Sequence, residues 1–122
     1  MNKNNNLYRA VVTGGAGFIG SHMVDLLVKN NYEVIIIDNL ANGRLSNIEH
    51  HKNNSKVKFI KTDISDYTLN LDPYFEDVDY VFHYAALADI VPSINDPITY
   101  HKANVDGTIN ILQAAQTSKK LK

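Results

Sequence analysis

Thr13-Gly14-Gly15-Ala16-Gly17-Phe18-Ile19-Gly20, residues 13–20, is the stretch on which the reading of this chain turns. Gly15, Gly17 and Gly20 satisfy G-x-G-x-x-G, and Gly14, Gly17 and Gly20 satisfy G-x-x-G-x-x-G. Glycines so spaced serve a tight turn out of a strand, the approach of backbone N–H groups to a pyrophosphate, and close packing of a helix on a sheet. A glycine turn alone is weak evidence, so its flanks decide. Before it, Leu7 to Val12 is a short apolar stretch of strand type. After it, Phe18, Ile19, Met23, Leu26 and Leu27 recur at helical spacing, with Ser21, His22, Asp25 and Lys29 elsewhere on the cylinder. Asn30-Asn31 stops that helix. The turn thus joins a strand to a helix N-terminus, whose positive dipole end favours a phosphate. A triphosphatase loop is excluded, because Ser21 follows Gly20 where lysine is needed.

Downstream, Glu33-Val34-Ile35-Ile36-Ile37-Asp38 is a β-branched run suited to a strand covered on both faces. Asp38 closes it, 18 residues beyond Gly20. A carboxylate there accepts both ribose hydroxyls of an adenosine and repels a 2′-phosphate, favouring NAD over NADP. Arg44 reads as an exposed loop arginine. Residues 39–56 read as a polar loop with a short helix near Leu45 to His50, and Val57 to Lys61 as a strand nearer a sheet edge. Thr62-Asp63-Ile64-Ser65-Asp66 reads as a turn capping a further short helix. Val78 to Ala86 is the most apolar stretch, a fourth strand. Pro97 to Ser118 reads as a helix with Ile98, Val105, Ile109, Leu112 and Ala115 along one stripe. Four strands alternating with four helices predict an α/β fold: a Rossmann-type doubly wound parallel sheet of order 3-2-1-4, forming one domain or one piece of one.

Composition bounds the rest. The chain has 122 residues, 44% hydrophobic and 20% charged, in the range of ordinary globular proteins. Its net charge of -1 gives no electrostatic case for nucleic acid or an anionic membrane. With no cysteine, disulfides and thiolate chemistry are excluded. The longest aliphatic run, Val34 to Ile37, falls far short of the ~20 residues of a membrane-spanning helix. Met1 to Asn6 holds no apolar stretch and does not read as a signal peptide, so a cytoplasmic protein is expected. His50-His51 reads as a solvated pair rather than a metal site, and His83 as a hydrogen-bonded structural histidine.

On these motifs the chain, from about Leu7 to Gln116, resembles the extended short-chain dehydrogenases/reductases that act on nucleotide sugars. Residues 13–20 have that family's spacing, and Asp38-Asn39-Leu40, with Asn42 and Gly43, resembles its ribose-binding turn. Asp63-Ile64 matches the pair that contacts adenine, and His83-Tyr84-Ala85-Ala86-Leu87 resembles the end of the fourth strand, where the cofactor lies against the backbone. Asn104-Val105-Asp106-Gly107-Thr108 matches the helix carrying a structural, cofactor-positioning asparagine. The resemblance implies NAD as cofactor, held by Gly14, Gly17, Phe18, Ile19, Gly20, Asp38, Asn39, Asn42, Gly43, Asp63, Ile64, Tyr84, Ala85, Ala86, Leu87 and Asn104.

Residues 86–98 look most like UDP-hexose 4-epimerases, with the UDP-N-acetylhexosamine subgroup nearest; dTDP-glucose 4,6-dehydratases and UDP-glucuronate-processing enzymes share the earlier motifs. For such an epimerase the implied reaction is transient C4 oxidation of a UDP-sugar by bound NAD, then hydride return to the opposite face. Ala88, Asp89 and Ser93 stand where substrate contacts are implied.

The family's catalytic tyrosine and lysine belong to Y-x-x-x-K. The residues four beyond Tyr8, Tyr32, Tyr67, Tyr74, Tyr80, Tyr84 and Tyr100 are Val12, Ile36, Leu71, Val78, Tyr84, Ala88 and Asn104, and none is lysine. The expectation is therefore a cofactor-binding N-terminal portion with no catalytic residue, inactive by itself and weak in NAD affinity. Its fourth strand is expected to be an open edge that self-associates through Tyr80, Phe82 and Tyr84. The competing readings are a free-standing NAD or ADP-ribose module and a scaffold that recruits a partner at that edge.

Overall fold

The computed structural model describes residues 7–122; the reading of Met1 to Asn6 lies outside the described residues. Four strands form one parallel sheet: β1 (Arg9–Thr13), β2 (Glu33–Asp38), β3 (Val57–Lys61) and β4 (Tyr80–His83), in the order β3-β2-β1-β4. Val11 pairs with Ile35 on one side and Val81 on the other, and Ile37 with Ile60. This is the Rossmann-type α/β sheet expected from the alternation of segments.

Because successive side chains point to opposite faces, the strands feed two cores. Val11 and Ile37, with Ile64, Leu71, Phe75, Val78, Ile111, Ala114 and Ala115, fill one. Ala10, Val12, Val34 and Ile36, with Ala16, Val24, Leu27 and Ile48, fill the other. Burial on both faces is why β2 reads as a continuous aliphatic run rather than an alternating one.

Helix α1 (Phe18–Lys29) follows the glycine turn and ends at Asn30-Asn31, as expected. Asn31 adopts φ 65, and Tyr32 N–H reaches Leu27 O while Asn31 N–H reaches Val28 O, both at 3.0 Å. This left-handed cap uses the small polar residue that best tolerates it without being glycine. The buried face of α1 is Gly20, Ser21, Val24 and Leu27, whereas Phe18, Ile19 and Leu26 are exposed. The apolar spacing thus marked the helix but misplaced its inner face.

The two short helices expected in the middle of the chain are three 3-10 turns instead, the first expected helix splitting into Leu45–Asn47 and Glu49–His51 and the second forming Asp72–Phe75. Each is too short to hold a stable α-helix, and Asp72 and Pro73 open the last of them. A helix not foreseen, α2 (Ile90–Asn95), takes Pro92 in its first turn, where the missing N–H costs nothing. The segment beginning at Pro97 is helical, but divided: α3 (Pro97–His101), a π-helical segment (Lys102–Asp106) and α4 (Gly107–Ala115). Asp96 caps α3 by accepting from Thr99 N–H at 3.3 Å. The proposed stripe is mostly outside: Ile98, Val105, Ile109 and Leu112 are exposed, and only Ala115 of that set is buried, beside Ile111 and Ala114. The helix is apolar on two sides, so periodicity could not select the inner one.

Candidate functional site

The glycine turn is held by backbone constraints that only glycine meets at two positions. Gly14 sits at φ 66, and a Cβ there would stand 2.7 Å from Ala85 N. At Gly20 a Cβ would overlap the Gly14 carbonyl. Gly20 thus packs α1 against the turn itself, rather than against the sheet as its motif position suggested. Gly17 is different: a Cβ would meet only Gly14 O, at 3.2 Å, so its face is otherwise open. Gly17 is also the N-cap of α1, with no side chain to cap it. The first-turn N–H groups of Phe18, Ile19 and Gly20 have no intrahelical acceptor, and they carry the positive end of the helix dipole.

Asp38 leaves β2 next to this turn. Its Oδ2 accepts from Ala16 N–H at 3.0 Å and its Oδ1 from Leu40 N–H at 2.7 Å. The second bond holds Leu40 at φ 63, a left-handed conformation disfavoured for a residue with a side chain. The connection then folds back over the turn: Arg44 N–H and Asn47 Nδ2 both donate to Ala16 O, at 3.0 and 2.8 Å. Gly43 lies so close beneath that a Cβ would be 2.9 Å from Asp38 Oδ2. The carboxylate is therefore both a wall of the site and the fastener of two loops.

The opposite wall follows β4. Ala85 N–H donates to Thr13 Oγ1 at 3.2 Å, and Thr13 Oγ1 meets His83 Nδ1 at 2.6 Å. His83 Nε2 meets Thr108 Oγ1 at 2.9 Å, and Thr108 donates to Asn104 O at 2.6 Å. One assignment satisfies every group: Thr13 donates to Nδ1, and Nε2 carries the proton and donates to Thr108. The imidazole is neutral in that arrangement, and burial pushes its pKa below the ordinary histidine value. Asn104 then clamps Leu87 at both its backbone groups, accepting from N–H at 2.8 Å and donating to O at 2.9 Å. It sits in the π-helical segment, where an extra residue per turn changes which side chains face the site.

These elements enclose a cleft of about 300 Å³ at the C-terminal ends of the strands, the ligand side of open parallel α/β sheets. Of the residues singled out in the sequence, Gly14, Gly17, Asp38, Asn39, Asn42, Gly43, Asp63, Ile64 and Tyr84 to Leu87 line it. Phe18, Ile19, Gly20 and Asn104 do not; Phe18 and Ile19 are exposed on α1, and Asn104 acts through Leu87. Ala88, Asp89 and Ser93 also lie off the cleft, at the start of α2. Not foreseen were Ile37, Ala41, Thr62, Ser65, Thr99, Lys102 and Ala103. Thr62 and Ser65 flank a motif that was read and could have been added from it. Thr99 of α3, with Lys102 and Ala103 of the π-helical segment, reach the cleft through the packing of this helical stretch, which local spacing does not encode.

The family model described as GDP-mannose 4,6 dehydratase matches residues 11–122. The chain belongs to this family. It is thus an extended short-chain dehydrogenase/reductase of the nucleotide-sugar epimerase and dehydratase kind. A Methanocaldococcus jannaschii relative with the provisional name UDP-glucose 4-epimerase is 48% identical over 103 residues, covering 84% of this chain and 32% of the relative. The UDP-N-acetylglucosamine 4-epimerase of Methanobrevibacter ruminantium M1, solved with UDP-N-acetylmuramic acid, is 40% identical with a TM-score of 0.82, covering 91% of this chain and 34% of its own. The dTDP-glucose 4,6-dehydratase DesIV of Streptomyces venezuelae, solved with NAD, is 37% identical with a TM-score of 0.79, over 88% of this chain and 35% of its own. This family member spans about a third of the length of the relatives it matches. Among the described residues, no helix is long and apolar enough to cross a membrane.

Proposed function

We propose that the cleft receives the adenosine and pyrophosphate portions of NAD, and that the chain is the cofactor-binding part of a nucleotide-sugar 4-epimerase. One observation carries this reading: the glycine turn, Asp38 and the Asp63-Ile64 pair, far apart in sequence, converge on a single cleft. The residues fit such a group. Gly17 leaves an open face beside an uncapped helix N-terminus, which suits a pyrophosphate. Asp38, with Asn39, Asn42 and Gly43, offers the ribose a carboxylate with lone pairs to spare after its two backbone bonds. Asp63 and Ile64 offer an acceptor and an apolar surface to the adenine. Tyr84, Ala85, Ala86 and Leu87 offer backbone along the way to the nicotinamide end, and Asn104 is a positioning residue for Leu87.

When bound, NAD supplies a reversible acceptor for the hydride at the sugar's C4. The chain's own residues hold and orient it and exclude water from one side. Proton transfer requires a tyrosine–lysine pair that no tyrosine here provides. In this reading residues outside the chain supply that pair, and the chain alone turns nothing over. The 4-epimerase reading is supported by the 48% and 40% identical relatives. A 4,6-dehydratase is the second reading, supported by the 37% identical NAD-bound structure.

Calorimetric titration of the chain with NAD and NADP tests the cofactor assignment. Weak but saturable NAD binding is expected, with NADP weaker by roughly tenfold or more because its 2′-phosphate faces Asp38. Absence of NAD binding, or a preference for NADP, would overturn it. Incubation with UDP-glucose and NAD is expected to give no epimer.

A further inference from the structure

His50 and His51, which read in sequence as a solvated pair, are not solvated alone. The 3-10 turn Glu49–His51 carries both rings over α1, where Asp25 faces them. His50 Nε2 and His51 Nε2 lie 2.7 and 2.6 Å from the same oxygen, Asp25 Oδ1. The two ring centroids are 4.0 Å apart. One ligand atom from each of the three residues lies within 4.8 Å of the other two. The neighbouring Lys52 approaches Glu49, at 3.8 Å, leaving Asp25 to the imidazoles. His51 is anchored, with its side chain 10% exposed, while those of Asp25 and His50 are 46% and 54% exposed, so one side of the cluster is open to solvent.

We propose that Asp25, His50 and His51 form a binding site for a divalent transition-metal ion of the zinc class. Two imidazole nitrogens and one carboxylate oxygen suit zinc, cobalt, nickel or copper, whereas magnesium and calcium prefer oxygen alone. The hydrogen-bonded protons on the two Nε2 atoms occupy the place the ion takes, and each shifts through solvent to Nδ1 of its own ring, so that the neutral imidazoles bind through Nε2. Ligand bonds of about 2.0–2.2 Å in tetrahedral geometry separate donor atoms by about 3.3 Å. The cluster therefore opens by a fraction of an ångström, which the exposed His50 and Asp25 side chains can supply. Water completes the coordination. The ion ties α1 to the connection between β2 and β3, whose earlier residues Asn39 to Gly43 border the cleft. None of the three ligands lines that cleft.

The test is calorimetric titration of the metal-free, untagged chain with Zn²⁺, with Co²⁺ absorption as the geometric probe. Expected are a single equivalent bound, visible d–d bands of low-coordinate Co²⁺, and a Tm rise of about 5 °C in excess Zn²⁺. His50→Gln and Asp25→Asn should each weaken Zn²⁺ binding by more than the roughly tenfold that a supporting partner's loss costs. His51 is buried and is not the probe. Failure of the wild-type chain to bind Zn²⁺, or equal affinity in wild type and both variants, would overturn the proposal. Neither outcome bears on NAD, which is measured separately at the cleft.

Discussion

A small number of side chains set the geometry of the cleft, and His83 is the one whose chemistry can be read with pH. It links β1, β4 and α4 through Thr13 and Thr108, in a network that accepts the neutral ring. Burial lowers its pKa in the folded chain, whereas the unfolded chain titrates near the ordinary value of 6.5. Between the two values the unfolded state binds more protons, so folding is weakened there. The contribution of the neutral ring is present above the unfolded value and is lost as pH falls through the folded one. Thermal melts at pH 7.5 and 5.5 should show a smaller acid-induced drop in Tm for His83→Gln than for wild type; equal drops would show that the ring is not held neutral. That His83 is a structural histidine was legible from its place at a strand end. Its partners, 70 and 25 residues away, were not, because sequence spacing encodes neighbours along one element and not across a fold.

Local periodicity performed best where an element has one apolar side and worst where it has two. The strands, the glycine turn and the cap at Asn30-Asn31 were all readable, since each depends on adjacent residues. In α4, Ile109, Ile111, Leu112, Ala114 and Ala115 are apolar around most of the cylinder, and only packing against Val11, Ile64 and Phe75 selects Ile111, Ala114 and Ala115. The difference has a measurable size. Ile111→Ala removes buried volume and should cost about 2–4 kcal/mol. Leu112→Ala, on the exposed side, should change stability by no more than about 0.5 kcal/mol. Chemical denaturation of the two variants distinguishes the faces, and the reverse order would restore the stripe first read from the sequence. The 3-10 turns share this cause: patterns of three or four residues carry too little periodicity to separate them from a short helix.

At the scale of the whole molecule, β4 is an edge. The aromatic residues expected to mediate association there are already partly engaged: Tyr80 lies 5.8 Å from Tyr8 and 6.4 Å from Phe82, ring centre to ring centre. Lys122 N–H also donates to Asp79 O at 2.9 Å, so one end of the edge is met by the chain itself. Among the described residues β4 pairs with β1 alone, which makes strand-to-strand pairing between copies the expected route of self-association. Sedimentation velocity should show a weight-average mass rising with concentration, and a monomer at every concentration would contradict this. The cofactor assignment rests on the C-terminal ends of the strands, where residues from five separate segments meet. It is tested most directly by mapping amide chemical shifts in ¹⁵N-labelled chain during titration with NAD. Saturable shifts are expected at Gly14 to Gly20, Asp38 to Gly43, Asp63 to Ser65 and Ala85 to Leu87. Shifts confined to the β4 edge, or none at these positions, would contradict it.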